Sequence, residues 1–375
     1  MHKLKVRITR HSDSVKVVWS DADRDYKPYF VHRAQIASIG DDMRRTLHAM
    51  SALPEQADFA PKLRDLARAG SELRHKLLVD VAGNSDAATE AAELLQTVDQ
   101  RGDLTVTTDG SLQVPWALVY EGHPRDVRTA PADIGNWGKF WGSRFRVRTL
   151  HSDLSRLPGQ WPRAREALRT LLIHHKDEFD RIEPYLSNEE RDCLDRFRRH
   201  YQVGPAHSWD DGEDRWQQMA ANDGVLYVFG HSDGEAIRLG DDDQADTLGV
   251  AGFTSRFWKT DRRSATICLI NGCWSAAGHE DNGFLTATST HGFCGFVGAE
   301  APVTNLFALR YSLAFMHLLC EAGCTVEETF ERLRRRFWPL SLLYGCYADP
   351  RFCVAAADPP ILPLSGLTSQ VQAHV

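Results

Sequence analysis

Two apolar runs constrain this chain more than anything else in it. Gly224-Val225-Leu226-Tyr227-Val228-Phe229 and Ala265-Thr266-Ile267-Cys268-Leu269-Ile270 are short, rich in β-branched and aromatic residues, and end abruptly in small polar residues. A strand that is apolar on both faces belongs in a parallel sheet covered by helices. The first run leads straight into Gly230-His231-Ser232-Asp233-Gly234, the second into Asn271-Gly272-Cys273-Trp274-Ser275. In open α/β sheets the ligand crevice lies beyond the carboxyl ends of the strands, so an imidazole and a thiol delivered there can meet in space. His231 and Cys273 are therefore the candidate catalytic pair.

Strand and helix patterns alternate around these runs, which argues for right-handed βαβ units. Leu168 to Ile173 reads as an earlier strand, Gly292 to Gly298 as a later one, and Asn305 to Leu319 as a largely apolar helix packed on the sheet. Ser187, with Glu190 three residues on, is spaced as a capping box opening a helix over 188–199. Towards the N-terminus, Leu4 to Thr9 and Val15 to Ser20 alternate around a polar turn, predicting a small edge hairpin. Helical spacing follows over 36–50, 61–79 and 87–98, with Leu63, Leu66, Ala67, Leu73, Leu77 and Leu78 on one stripe. The Gly- and Pro-rich stretch 122–142 reads as a surface loop.

With 375 residues, 42% hydrophobic and 25% charged, the chain is long enough for one large or two modest domains. Its net charge of −7 comes from interleaved acids and bases, which gives no electrostatic footprint for nucleic acid or an anionic membrane. There is no apolar run of membrane-spanning length and no signal-peptide pattern at the N-terminus, so a cytoplasmic location is expected. The eight Cys residues show no small-scaffold spacing and are expected to be reduced.

A thiol attacks as the thiolate, and a neighbouring imidazole can take its proton and return it to a leaving amine. Gly272 and Gly234 permit the tight turns such a site needs, and the backbone N–H groups of Cys273 and Ser232 are the natural oxyanion donors. From the residues alone, a buried structural thiol and a polar strand terminus remain an alternative. Gly230-His231-Ser232-Asp233-Gly234 also fits the G-x-S-x-G elbow of serine hydrolases, with Ser232 as nucleophile, but an elbow must run into a helix and the following Glu235 to Gly240 alternates like a strand. His317, Cys320 and Cys324 share one helical face in an apolar segment, which reads as core packing, and no metal site is expected. No P-loop, dinucleotide fingerprint, H-E-x-x-H or paired C-x-x-C occurs, so no cofactor is expected.

Taken in order, the helical stretch Leu66 to Leu73, the segment Leu104 to Tyr120 with Asp109-Gly110 and Val114-Pro115-Trp116, the two strands carrying His231 and Cys273, and Gly292 to Gly298 with the helix after Val303 resemble the CHAT family of caspase-like peptidases. The resemblance implies an α/β fold: a caspase-like, mainly parallel sheet flanked by helices, with an N-terminal hairpin and helical region over 1–100 and a peptidase domain over 101–375. By position, His231 is similar to the family's general base and Cys273 to its nucleophile, while Ser232 stands where the family usually has Gly and Asn271 where some relatives have an acid. Glu300, Asp177, Asn271 and Asp349 are expected at the substrate pocket, with a preference for Arg or Lys before the scissile bond. The resemblance further implies a protein substrate, such as a pore-forming effector encoded nearby in a bacterial anti-phage system, and activation by a cut, as from an upstream activating protease, or by a conformational trigger, with Asp241 to Arg263 as the expected activation loop. The same resemblance is compatible with a caspase-like scaffold that binds a partner without cutting it.

Overall fold

The computed structural model describes residues 3–54, 57–98, 102–109, 112–127, 139–151, 162–164, 169–200, 202–219, 224–240, 245–257, 266–277, 283–290, 293–350 and 352–355. The chain begins with strands β1 (Lys3–His11), β2 (Ser14–Ser20) and β3 (Tyr29–His32) and helices α1 (Arg33–Ser51), α2 (Ala60–Leu78) and α3 (Ser85–Thr97). Then come β4 (Gly102–Thr108), the short α4 (Trp141–Arg144), β5 (Phe145–His151) and β6 (Pro162–Ala164). The second half runs β7 (Arg169–His174), α5 (Lys176–Ile182), α6 (Asn188–His200), β8 (Gln202–Ala206), α7 (Trp209–Met219) and β9 (Gly224–Phe229). After it come β10 (His231–Ser232), β11 (Ala236–Leu239), β12 (Asp246–Gly249), α8 (Val250–Phe257), β13 (Thr266–Asn271) and α9 (Phe284–Thr290). The chain closes with β14 (Gly295–Ala299), α10 (Asn305–Met316), α11 (Val326–Phe337), β15 (Tyr344–Ala348) and β16 (Cys353–Ala355).

The architecture is α/β, as expected, with a mainly parallel sheet in the order β15-β14-β13-β9-β7-β8. β8, β7, β9, β13 and β14 run parallel, and β15 closes the edge antiparallel to β14. Helices cover both faces, so β9 and β13 are buried along their whole length. Val225, Tyr227, Phe229, Ile267 and Leu269 pack against one helical layer that includes Phe179, Leu194, Phe197 and the apolar face of α10. Leu226, Val228, Cys268 and Ile270 face Trp209, Trp216, Phe253, Phe257 and Phe284 on the other side. Alternate residues thus enter opposite cores, and each such large apolar side chain contributes about 1.5–3 kcal/mol by leaving water.

The N-terminal hairpin is more than an edge feature. β1 pairs antiparallel with β2 and parallel with β4, and β4 pairs in turn with β5, giving a sheet in the order β3-β2-β1-β4-β5. β1 and β4 thus pair with each other from either side of the boundary expected at residue 100. The sequence pattern shows each strand but not a parallel pairing between segments about a hundred residues apart. α2 buries the anticipated leucine stripe, and Gly70 lets it approach the backbone at Leu118 and Tyr120 so closely that a Cβ would collide with it. The capping box at Ser187 and Glu190 is present, with backbone N–H to side-chain distances of 3.2 and 2.9 Å. Of the surface loop expected over 122–142, residues 128–138 lie outside the described residues.

Two stability predictions follow from this packing. Gly70→Ala is expected to cost about 1–3 kcal/mol and to lower the melting temperature by several degrees, and an unchanged melting temperature would contradict the close approach. His174, at the end of β7, is buried against Phe179 and His207, and loss of hydration moves its imidazole from 6.5 down to about 4. As pH falls below 6.5 the unfolded chain takes up this proton while the folded chain holds it off until near 4. Up to about 3 kcal/mol of stability is therefore lost across that window. His174→Phe should flatten the fall in melting temperature between pH 6.5 and 4, and an unchanged slope would contradict the burial.

Candidate active site

β9 and β13 are hydrogen-bonded neighbours in matching register, with Phe229 opposite Asn271. They therefore deliver His231 and Cys273 to the same rim of the sheet. The two loops touch: the Gly230 N–H donates to the Asn271 carbonyl at 3.3 Å. A Cβ at Gly272 would lie 2.8 Å from the Ser232 Cβ and 2.9 Å from the Gly230 carbonyl, so only glycine fits before Cys273. Trp274 adopts the left-handed conformation (φ +58°) that swings the chain away after Cys273. The turn is fixed from below by the fully buried Ser275, whose hydroxyl donates to Ile270 O and accepts from the Ala299 N–H, both at 2.9 Å. Ala276 N–H in turn donates to Ala299 O at 2.9 Å.

Sequence reasoning missed a third group. Glu178, in the first turn of α5, is 1% exposed and places Oε1 3.3 Å from His231 Nε2. The same oxygen accepts a 2.6 Å hydrogen bond from Asn305 Nδ2 at the start of α10. Its neighbour Asp177, the residue expected at the pocket, is exposed. The helical phase separates them: Glu178, Phe179 and Ile182 are buried while Asp177, Asp180 and Arg181 face water. The spacing of Phe179 and Ile182 was the available signal, since it sets the buried stripe on which Glu178 lies. Cys273 is half-buried, and its thiol donates to the Val303 carbonyl, with sulfur and oxygen 3.8 Å apart.

The other pocket residues do not converge on Cys273. Asn271 is buried beneath the rim, where Nδ2 donates to Ala308 O at 2.7 Å and Oδ1 accepts from the Tyr344 hydroxyl, so its side chain ties β13 to α10 and β15. Glu300, just past β14, is at the correct rim but is buried and ion-paired with Arg44 of α1 at 3.0 Å, and it also accepts from the Tyr347 hydroxyl. Asp349 lies at the opposite rim. Because β15 runs antiparallel to β14, Ala348 pairs with Gly295 at the start of β14, and Asp349 follows it away from Cys273.

Ser232 belongs to β10, which pairs with β11 through Ile237 and so runs into another strand. Its hydroxyl accepts from the Gly234 N–H at 3.1 Å. The strand-to-helix turn of a hydrolase elbow is absent, which removes the basis for Ser232 as nucleophile. The His317, Cys320 and Cys324 face lies at the end of α10, where both cysteines are buried and His317 pairs with Glu321. Among the described residues no group of three or more His, Cys, Asp or Glu is placed to hold a metal ion, and no helix is long and apolar enough to cross a membrane. Of the segment Asp241 to Arg263, β12 and α8 are ordered elements, and 241–244 and 258–265 lie outside the described residues.

A cavity of about 450 Å³ opens between β5, α11 and β15, lined by Trp116, Arg144, Phe330, Arg334 and Tyr347 among others. Glu300 lines it, but neither His231 nor Cys273 does. The dyad instead occupies the rim itself.

No family model matches the chain, and no curated protein matches it. Among solved structures it is similar to the Saccharomyces cerevisiae separase–securin complex. One such structure is 9% identical with a TM-score of 0.49, covering 94% of this chain and 30% of that one. A second is 12% identical with a TM-score of 0.42, covering 87% of this chain and 23% of that one. The chain thus spans less than a third of the length of either.

Proposed function

We propose that this protein is a caspase-like cysteine endopeptidase in which Cys273 is the nucleophile, His231 the general base and Glu178 the group that orients the imidazole. The observation that carries this reading is the 3.3 Å approach of a buried carboxylate to His231 Nε2, on a loop packed directly against the turn that holds Cys273. With Nε2 the nitrogen near Glu178, at 3.3 Å, Nδ1 is the nitrogen we assign to the thiol proton. A nucleophile, a base and a third group orienting the base form the arrangement on which acyl transfer depends.

In the proposed reaction His231 takes the proton of Cys273, and the sulfur attacks the carbonyl carbon of a peptide bond. The tetrahedral oxyanion is received by the backbone N–H groups of Cys273 and Ser232. Its collapse breaks the C–N bond as the imidazolium returns the proton to the leaving amine. Water, activated by the same imidazole, then hydrolyses the thioester and frees the thiol. Throughout, Glu178 stabilises the imidazolium in its reactive orientation, while Asn305 holds the carboxylate in place. A defence role with a neighbouring pore-forming substrate belongs to the family-based part of this reading. A basic-residue preference acting through Glu300 requires Arg44 to be displaced first.

Incubation with a panel of fluorogenic peptides carrying Arg, Lys or Asp before the reporter tests the proposal. Cys273→Ala and His231→Ala are expected to abolish turnover. Glu178→Gln is expected to lower kcat/KM by about 10²-fold or more, because a neutral amide no longer stabilises the charged imidazole. Turnover that survives Cys273→Ala and is lost in Ser232→Ala would favour a serine hydrolase. Thiol-probe labelling of Cys273 with no cleavage of any peptide or protein would favour a binding scaffold.

A further inference from the structure

The segment between β14 and α10, residues 300–304, with Asn305 directly after it, reaches both Cys273 and Glu178 of the proposed site. At one end Glu300 is clasped by Arg44 Nε at 3.0 Å and by the Tyr347 hydroxyl, with its N–H on Leu343 O at 2.8 Å. At the other end Thr304 caps α10 and Asn305 holds Glu178. Between them the Val303 carbonyl takes the S–H of Cys273. That hydrogen bond uses the very proton that nucleophilic attack must remove. A sulfur donating to a carbonyl oxygen is therefore in its resting form.

The ion pair that fixes this segment joins residues 256 positions apart, and both side chains are almost wholly buried. Arg44 Nη1 approaches Asp41 at 3.8 Å, while Nη2 is buried with no hydrogen-bond partner. A buried guanidinium that is only partly satisfied is a costly element to keep for packing alone. The same helix contacts the nucleophile turn a second time: the His48 ring meets Trp274 edge-on at 5.6 Å. α1 thus grips both the residue after the nucleophile and the segment whose carbonyl holds the thiol.

We propose that Arg44 is a positioning residue that acts through Glu300 as a latch, keeping the Val303 carbonyl on the Cys273 thiol, and that loss of the Arg44–Glu300 pair releases the thiol to His231. This inference rests on the peptidase reading for its biological meaning, but the latch itself is a property of the thiol and can be measured without a substrate.

The test is the rate of iodoacetamide alkylation of Cys273 in the full chain, followed peptide by peptide by mass spectrometry, with the buried Cys268 as an internal reporter of unfolding. Arg44→Met is expected to accelerate alkylation of Cys273 about two- to fivefold, the effect of losing one weak S–H···O hydrogen bond, with Cys268 unchanged. Because the single variant leaves Glu300 without its cation, the double variant Arg44→Met, Glu300→Gln removes both charges and is expected to show the same selective rise. An unchanged Cys273 rate in the double variant, or equal acceleration of Cys273 and Cys268 in it, would overturn the latch. A selective rise in a protein that cleaves no peptide leaves the latch standing and removes the peptidase reading. A flat response in an active peptidase does the reverse.

Discussion

The whole site depends on two buried strands lying side by side in one direction. β9 and β13 share six register pairs, from Thr266 opposite Gly224 to Asn271 opposite Phe229, and because they are parallel both of their exits open on one rim. That geometry brings the imidazole loop against the thiol loop, and Gly272 is where the two backbones come closest. A side chain there would push the loops apart, and His231 and Cys273 with them. The helices on either face exist, in this sense, to keep water off two strands that have no polar side to offer it.

Around that pair, polar side chains with no surface role act as fasteners. Ser275 ties the nucleophile turn to the end of β14, and Asn271 ties the end of β13 to α10 and β15. The latter lies beneath a stacked pair of tyrosines, Tyr311 and Tyr344, whose rings are 3.9 Å apart and nearly parallel. Burial drives the Tyr344 hydroxyl far above the usual phenol range, so it stays protonated and donates to Asn271. Each buried polar atom satisfied in this way adds definition to the rim, since a partly satisfied network would cost more than an apolar one.

The parts of this arrangement that could be read in the sequence are those encoded locally. Unbroken apolar runs marked β9 and β13, the residues after them marked the loops, and leucine spacing marked α2. Pairings between distant segments left no such mark. Nothing in residues 3–11 announces that β1 will sit beside β4, and nothing near Arg44 points to Glu300. Glu178 is one helical step from Asp177, and only the phase of Phe179 and Ile182 distinguishes them. Asp349 reaches the other rim for a topological reason: an edge strand that reverses direction carries its end to the other side of the sheet. Charge type can be seen in a sequence, but which rim a charge reaches is decided by strand direction.

The central claim is that one sulfur at this rim forms a covalent bond to substrate carbon with the help of one imidazole. Intact-mass and peptide-level mass spectrometry after treatment with a peptidyl acyloxymethyl ketone measures that bond directly. The account predicts a single adduct on Cys273, formed by the wild-type chain and lost when His231 is replaced by Ala. Adducts spread over several cysteines, or an adduct on Cys273 that forms equally fast without His231, would contradict it.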